Sequence, residues 1–135
     1  YSLRGLAYSY SGQHGRAIED QNRAIEMNPK GSAASYNDRG WAYVELGQPE
    51  KALEDLNKAI QMAPDFQKAY ENRAMAYARL KEYARAISDL TAAMQLNPTP
   101  WQYQKRAEAR RASGDAKGAE EDLRQAGEIG GTRLP

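Results

Sequence analysis

Apolar and small residues recur along the chain at intervals of three and four positions, which places them on one face of a helix. Tyr36, Gly40 and Tyr43 form one such face. Glycine and proline interrupt this pattern regularly, because glycine favours the end of a helix and proline favours its first turn. The pattern therefore predicts an all-α chain. The eight predicted helices cover residues 1–11, 14–28, 33–46, 49–62, 67–80, 83–96, 100–113 and 116–129.

The helical pattern occurs four times, in segments that begin 35, 34 and 33 residues apart. Each segment predicts two helices joined by a tight turn, such as residues 46–49. One pair of helices cannot bury its apolar face alone, so consecutive pairs are expected to stack. We therefore predict a single domain, an α-solenoid of antiparallel helix pairs with a concave inner surface. Its repeats are expected over about residues 1–31, 33–66, 67–99 and 100–133.

Particular residues return at fixed positions of each segment. They are small residues at the eighth position of the unit (Gly5, Gly40, Ala74, Ala107), alanine at the twentieth (Ala17, Ala52, Ala86, Ala119) and twenty-seventh (Ala24, Ala59, Ala93, Ala126), and proline at the close of three units (Pro29, Pro64, Pro98). With these residues the chain resembles the tetratricopeptide repeat family, whose unit is a helix–turn–helix of about 34 residues. The resemblance implies a right-handed superhelix that binds partner proteins.

The first and last segments differ from the middle two. The first lacks the opening turn of its first helix, so we expect either a longer array upstream or a disordered start. The last carries polar or small residues where its neighbours are apolar, such as Arg110 and Glu120. Polar residues on the face that another repeat would cover are typical of a C-terminal cap.

An arginine and an aspartate recur once in every unit. The arginines could form an anion-binding ladder, or each could pair with an aspartate on a neighbouring second helix and fix the register between helices. We favour pairing, because both partners recur at constant spacing. The arginines are Arg4, Arg39, Arg73 and Arg106, and the aspartates are Asp20, Asp55, Asp89 and Asp122.

Composition excludes several classes of function. Nineteen Lys and Arg against eighteen Asp and Glu give a formal net charge of +1, so the overall field that attracts a protein to nucleic acid is missing. The chain has no cysteine and one histidine, His14, so we expect no metal site and no cofactor. No apolar run is long enough to span a membrane. We find no nucleophile, base and orienting group that belong together, and we expect no enzymatic activity.

In the resembled family, ligands bind on the concave surface, mainly to residues of the first helix of each pair. Leu6, Trp41 and Met75 occupy equivalent positions there, and three apolar side chains in a row are a candidate recognition surface. The alternative is that Trp41 only packs against a neighbouring helix. The candidate peptide-binding residues are Leu6, Tyr10, Asn37, Trp41, Lys68, Asn72, Met75, Arg79 and Lys105.

These residues predict a non-catalytic scaffold that binds an extended segment or a short helix of a partner protein in its groove. Asn37 and Asn72 can each donate to and accept from a peptide backbone, and the basic residues favour an acidic partner. The two-carboxylate clamp of the family members that bind chaperone tails is not matched, since repeats two to four fit it only at Asn72 and Lys105. The alternative function is end-on self-association through Leu3, Leu6 and Tyr10 of the first repeat.

Overall fold

The computed structural model describes residues 14–28 and 32–129, and these residues form seven helices and no strand. The all-α prediction is confirmed for this part of the chain, and the helix predicted over residues 1–11 lies outside it. The helices are α1 (His14–Met27), α2 (Ala33–Glu45), α3 (Pro49–Met62), α4 (Gln67–Arg79), α5 (Tyr83–Leu96), α6 (Pro100–Ala112) and α7 (Ala116–Ile129).

The helices stack as a helical-repeat solenoid. The pairs α2–α3, α4–α5 and α6–α7 pack most extensively, and each second helix also packs on the first helix of the next pair. In addition, α2 packs directly on α4, so first helices line up along one side of the stack. The side chains of these first helices therefore form the surface on which we predicted a binding groove.

Small residues allow the paired helices to approach closely, as the sequence predicts. A Cβ atom added to Gly40 of α2 would lie 2.7 Å from Cγ of Leu56 on α3. Leu56 is fully buried beside Ala52 and Ala59. The contact between α2 and α3 therefore depends on a missing side chain at Gly40.

The turns within the pairs share one left-handed residue. Gly47 has a φ of +76° and Gly114 a φ of +95°, as expected of glycine at the end of a helix. The equivalent residue of the middle pair is Lys81, with a φ of +62°. The turn between α4 and α5 is therefore made by a lysine, for which the left-handed conformation is less favourable than for glycine.

The recurrent arginines pair with the recurrent aspartates in the same helix pair, and three of the four expected arginines lie in the described region. Each guanidinium donates two hydrogen bonds to one carboxylate and a third to a polar side chain on the preceding second helix. Each arginine thus ties together three successive helices from two repeats. The groups are Arg39 with Asp55 (2.7 and 2.6 Å) and Asn22 (2.7 Å), Arg73 with Asp89 (2.9 and 2.7 Å) and Asn57 (3.0 Å), and Arg106 with Asp122 (3.0 and 2.7 Å) and Thr91 (3.1 Å).

The outer face of α7 differs from the corresponding faces of α3 and α5. Arg124 lies at the position that Asn57 and Thr91 occupy in those helices, and its guanidinium pairs with Glu121 at 2.6 Å. Leu123 is 40% exposed, whereas the equivalent leucine of α5, Leu90, is fully buried. A basic and partly apolar surface therefore stands where the other second helices offer a hydrogen-bond acceptor.

Candidate functional site

The candidate groove is lined by the first helices α2, α4 and α6, which carry seven of the nine predicted binding residues. Leu6 and Tyr10 lie outside the described residues. The structure divides the other seven into two groups. Asn37, Trp41, Asn72 and Met75 are buried or partly buried between helices, whereas Lys68 and Arg79 are exposed and Lys105 is partly exposed.

Asn37 and Asn72 are only 5% and 4% exposed, and they bind each other. The amide nitrogen of Asn72 on α4 donates to the amide oxygen of Asn37 on α2 at 2.9 Å. A buried amide costs free energy unless it is hydrogen-bonded, and this pairing satisfies part of that requirement. The two asparagines thus hold adjacent first helices together, and their role toward a ligand stays a prediction.

Trp41 and Met75 form part of the packing between repeats. Both are partly buried against the cluster of Val44, Leu56 and Ala76. The alternative considered for Trp41, packing against a neighbouring helix, therefore describes part of its environment. Each side chain also keeps an exposed part, so its role toward a ligand stays a prediction.

Glu71 and Gln102 form a buried polar contact that the sequence analysis did not anticipate. The amide nitrogen of Gln102 donates to a carboxylate oxygen of Glu71 at 2.7 Å. The amide oxygen of Gln102 accepts from the backbone N–H of Thr99 at 2.8 Å, which caps the start of α6. A threonine followed three residues later by glutamine is the sequence signal of such a cap, but the partner on α4 is set by how the repeats stack.

Trp101 lies close to two lysines, one on α4 and one on α6. Nζ of Lys68 on α4 lies 5.5 Å from the centre of the Trp101 ring, and Nζ of Lys105 on α6 lies 5.9 Å from it. Lys68 also lies 3.6 Å from Glu71, and Lys105 lies 3.4 Å from Glu108. The lysine side chains are 63% and 31% exposed, so both ammonium groups remain accessible to a ligand.

A cavity of about 270 Å³ opens beside Trp101. Lys68 and Glu71 line one wall, and Thr99 and Trp101 line the other. An aromatic ring next to ammonium groups offers apolar area and positive charge at the same place. The arrangement can bind an acidic segment that also carries apolar groups.

Asp38 on α2 is a partly buried carboxylate, and burial raises its pKa to about 6. A hydrogen bond from the neighbouring Asn37 opposes this change but is the weaker effect. Desolvation favours the neutral form of a carboxyl group, so Asp38 changes charge close to neutral pH.

Metal ligands do not gather in the described region. Within residues 14–28 and 32–129, no three His, Cys, Asp or Glu side chains are placed to hold a metal ion. Within the same ranges, no helix has the length and apolar character needed to cross a membrane.

Stacked helix pairs of this length, joined by left-handed turns and by a recurrent arginine–aspartate contact, define a helical-repeat scaffold. Two models of the tetratricopeptide repeat family match the sequence, one over residues 6–71 and one over residues 67–100. Together they cover more than half of the chain, and the chain belongs to the tetratricopeptide repeat family.

Solved structures of this family share the fold. MamA from Desulfovibrio magneticus RS-1, residues 41 to the end, superposes with a TM-score of 0.86 at 21% identity over 96% of this chain and 73% of MamA. The thermophilic protein TTC0263 of Thermus thermophilus gives 0.84 at 24% identity over 93% and 70%. The first repeat domain of Spaghetti (RPAP3), bound to the HSP90 peptide SRMEEVD, gives 0.74 at 24% identity over 83% and 86%. No curated protein sequence matches the chain significantly.

Proposed function

We propose that this protein is a non-catalytic scaffold that binds an acidic, extended segment or short helix of a partner protein in the groove formed by α2, α4 and α6. Tetratricopeptide repeat proteins bind protein or peptide partners, and the side chains on the first helices support a site in this groove. The observation that carries the proposal is that Lys68 and Lys105 both lie close to the Trp101 ring, because this combines an aromatic surface with two accessible ammonium groups.

The remaining predicted residues have distinct roles in this proposal. Trp41 and Met75 supply the apolar floor beside the asparagine pair, and Arg79 adds an exposed positive charge on α4. Leu6 and Tyr10 lie outside the described residues, and their part in binding stays a prediction from the sequence. Asn37 and Asn72 contribute by fixing the distance between α2 and α4. Amide atoms of the two side chains that are not used in this contact can also bind a ligand.

The proposed partner is not a chaperone tail of the kind seen with the RPAP3 domain. The residues at the five clamp positions of repeats two to four are Asn37, Trp41, Asn72, Trp101 and Lys105. Only Asn72 and Lys105 match the clamp, and the amide of Asn72 is bound to Asn37. Where the clamp has a lysine, this chain has Trp101. The groove therefore favours an acidic segment with apolar side chains over one bound by two carboxylates alone.

Peptide selection tests this proposal. Random twelve-residue peptides displayed on phage would be selected on the full chain. The affinity of the recovered peptides would then be measured for two double variants, Lys68→Gln/Lys105→Gln and Lys58→Gln/Lys117→Gln. Both pairs remove two charges, but Lys58 and Lys117 are exposed on the second helices α3 and α7. We expect acidic peptides, about tenfold weaker binding to the first variant, and unchanged binding to the second. Equal affinity for both variants, or no recovered peptide, would reject the groove.

End-on self-association through Leu3, Leu6 and Tyr10 stays a separate prediction, because these residues lie outside the described region. Light scattering over a range of protein concentrations tests it. A dimer that is lost on Leu3→Ser/Leu6→Ser but kept on Trp101→Ala would favour assembly through the first repeat.

A further inference from the structure

The contact between the third and fourth repeats contains a cavity with a mainly apolar lining. The cavity measures about 260 Å³ and lies between α4, α5 and α6. Met75 and Ala78 line it from α4, and Ala109 lines it from α6. Leu90 lies at its base and is fully buried. Residues of three helices therefore line the cavity, mainly with apolar atoms, and it opens to solvent.

Comparison of equivalent positions explains why the cavity exists. The preceding contact is filled by Val44 of α2 and Met75 of α4, which pack on Leu56. One repeat later, Ala78 replaces Val44, and Glu108 replaces Met75. Glu108 directs its carboxylate to solvent, where its side chain is 67% exposed. The cavity therefore occupies the space that two valine methyl groups at position 78 and a methionine side chain at position 108 would fill.

The spacing of the helices agrees with this comparison. The helix α2 packs directly on α4, whereas α4 and α6 make few close contacts. Val44 and Met75 bridge α2 and α4 with apolar side chains. The equivalent residues between α4 and α6, Ala78 and Glu108, do not provide such a bridge. The cavity is thus a consequence of Ala78 and Glu108 and lies along the groove of the first helices.

Charge surrounds the mouth of the cavity unevenly. Lys105 and Glu108 lie at its edge and contact each other at 3.4 Å. Arg79, next to Ala78, and Arg111, next to Ala112, are both exposed. Three positive groups therefore accompany one negative group on this part of α4 and α6, and they favour a ligand with negative charge beside its apolar group.

The geometry points to a specificity pocket for one aliphatic side chain, of leucine, isoleucine or methionine, that is followed closely by a carboxylate in the partner segment. This inference rests on the proposed groove and names the feature of the partner that the groove would select. The aliphatic group replaces the side chains that Val44 and Met75 provide one repeat earlier, and the carboxylate lies near Lys105.

A small probe tests the pocket without a peptide. The probe is 4-methylpentanoate, which has a leucine-sized tail and a carboxylate, and acetate and 4-methylpentan-1-ol are its comparisons. NMR shifts of the Met75 and Ala109 methyl groups report binding. We expect 4-methylpentanoate to shift these signals, 4-methylpentan-1-ol to bind several-fold more weakly, and acetate to have no effect. Shifts spread over the whole chain, or equal shifts with acetate, would overturn the inference.

A variant that closes the pocket provides the second arm. Ala78→Val/Glu108→Met restores the side chains of the preceding contact, and Ala84→Val/Glu120→Met makes the same changes at exposed positions of α5 and α7. We expect the closing variant to lose about tenfold in affinity for the probe and to keep or raise its melting temperature. A closing variant that is folded and binds as well as the control would overturn the pocket.

Peptides recovered by selection on the full chain separate the two proposals. Peptides that need Lys68 and Lys105 but bind the closing variant normally would leave the groove standing and reject the pocket. If the probe binds but the chain selects no peptide, the pocket is supported and the proposed function is rejected. Selected peptides with an aromatic residue in place of the aliphatic one would reject the assigned side-chain class.

Discussion

Asp38 shows how one side chain in the groove is affected by its neighbours. Its pKa of about 6 in the folded chain lies above the ordinary value of 3.8, so folding favours the protonated form. The protein is therefore most stable with respect to this group below about pH 4, and stability falls as the pH rises from 3.8 to about 6. The cause is burial, which removes the carboxylate from water and outweighs its hydrogen bond with Asn37.

We expect Asp38→Asn to stabilise the chain at pH 7 by about 1 kcal/mol, a value reduced from the full shift because the side chain is partly exposed. The gain should disappear near pH 4, where Asp38 is largely protonated. Urea unfolding at pH 4, 5, 6 and 7 measures the difference, with Asp65→Asn in an exposed turn as the control. An equal effect of Asp38→Asn at pH 4 and pH 7 would contradict the assignment.

At the scale of helices, Gly40 sets how closely α2 and α3 pack. Gly40→Ala gains up to about 1 kcal/mol in helix propensity, but its Cβ would lie 2.7 Å from Cγ of Leu56. Because Leu56 is fully buried, relieving this overlap costs about 1–3 kcal/mol. We expect a net loss of about 1 kcal/mol in the free energy of unfolding, measured by urea denaturation.

Gly15→Ala is the matched control for this prediction. Gly15 is an exposed residue of α1, and an added Cβ meets nothing within 4 Å. The control should be neutral or slightly stabilising. If Gly40→Ala stabilised the protein as much as Gly15→Ala, the close approach of α2 and α3 would not be limiting.

Helix positions were predictable because they depend on local spacing and on turn residues. Three of the seven described helices have the predicted bounds, and the other four end one residue earlier than predicted. The pairing of Arg39 with Asp55 was predictable for the same reason, because both residues recur in every unit. The left-handed Lys81 was not, since nothing in the local sequence singles out a lysine for that conformation.

Contacts between repeats were harder to predict than contacts within them. Asn37 and Asn72 were expected to face a peptide, but the relative rotation of α2 and α4 brings their amides together. The contact of Glu71 with Gln102 depends on the same kind of rotation, between α4 and α6. The cavity beside Ala78 requires comparison of two successive interfaces, because an alanine by itself does not predict a cavity.

At the scale of the whole molecule, the arginine groups join neighbouring repeats into one stack. Arg73 holds Asp89 in its own pair and Asn57 in the preceding one. The Asp89 side chain is 6% exposed and the Arg73 side chain 22% exposed, so their interaction is little screened by water. Breaking a buried ion pair by removing one partner is costly because the other charge remains.

We expect Asp89→Asn to lower the free energy of unfolding by about 2 kcal/mol. Glu82→Gln is the control, because Glu82 forms an exposed pair with Arg85 at 3.6 Å and should contribute less than about 0.5 kcal/mol. Thermal and urea unfolding measure both changes. Similar losses for the two variants would show that burial does not distinguish these ion pairs.

The outer face of α7 has a consequence for how such an array could grow by gene duplication. A copy of the second or third repeat placed after α7 would bring its recurrent arginine next to Arg124. At the equivalent positions of α3 and α5, Asn57 and Thr91 accept a hydrogen bond from such an arginine. Two guanidinium groups would then face each other across the new junction. Repeats of this chain are therefore not freely interchangeable modules, because α7 carries Arg124 where α3 and α5 carry the hydrogen-bond acceptors Asn57 and Thr91.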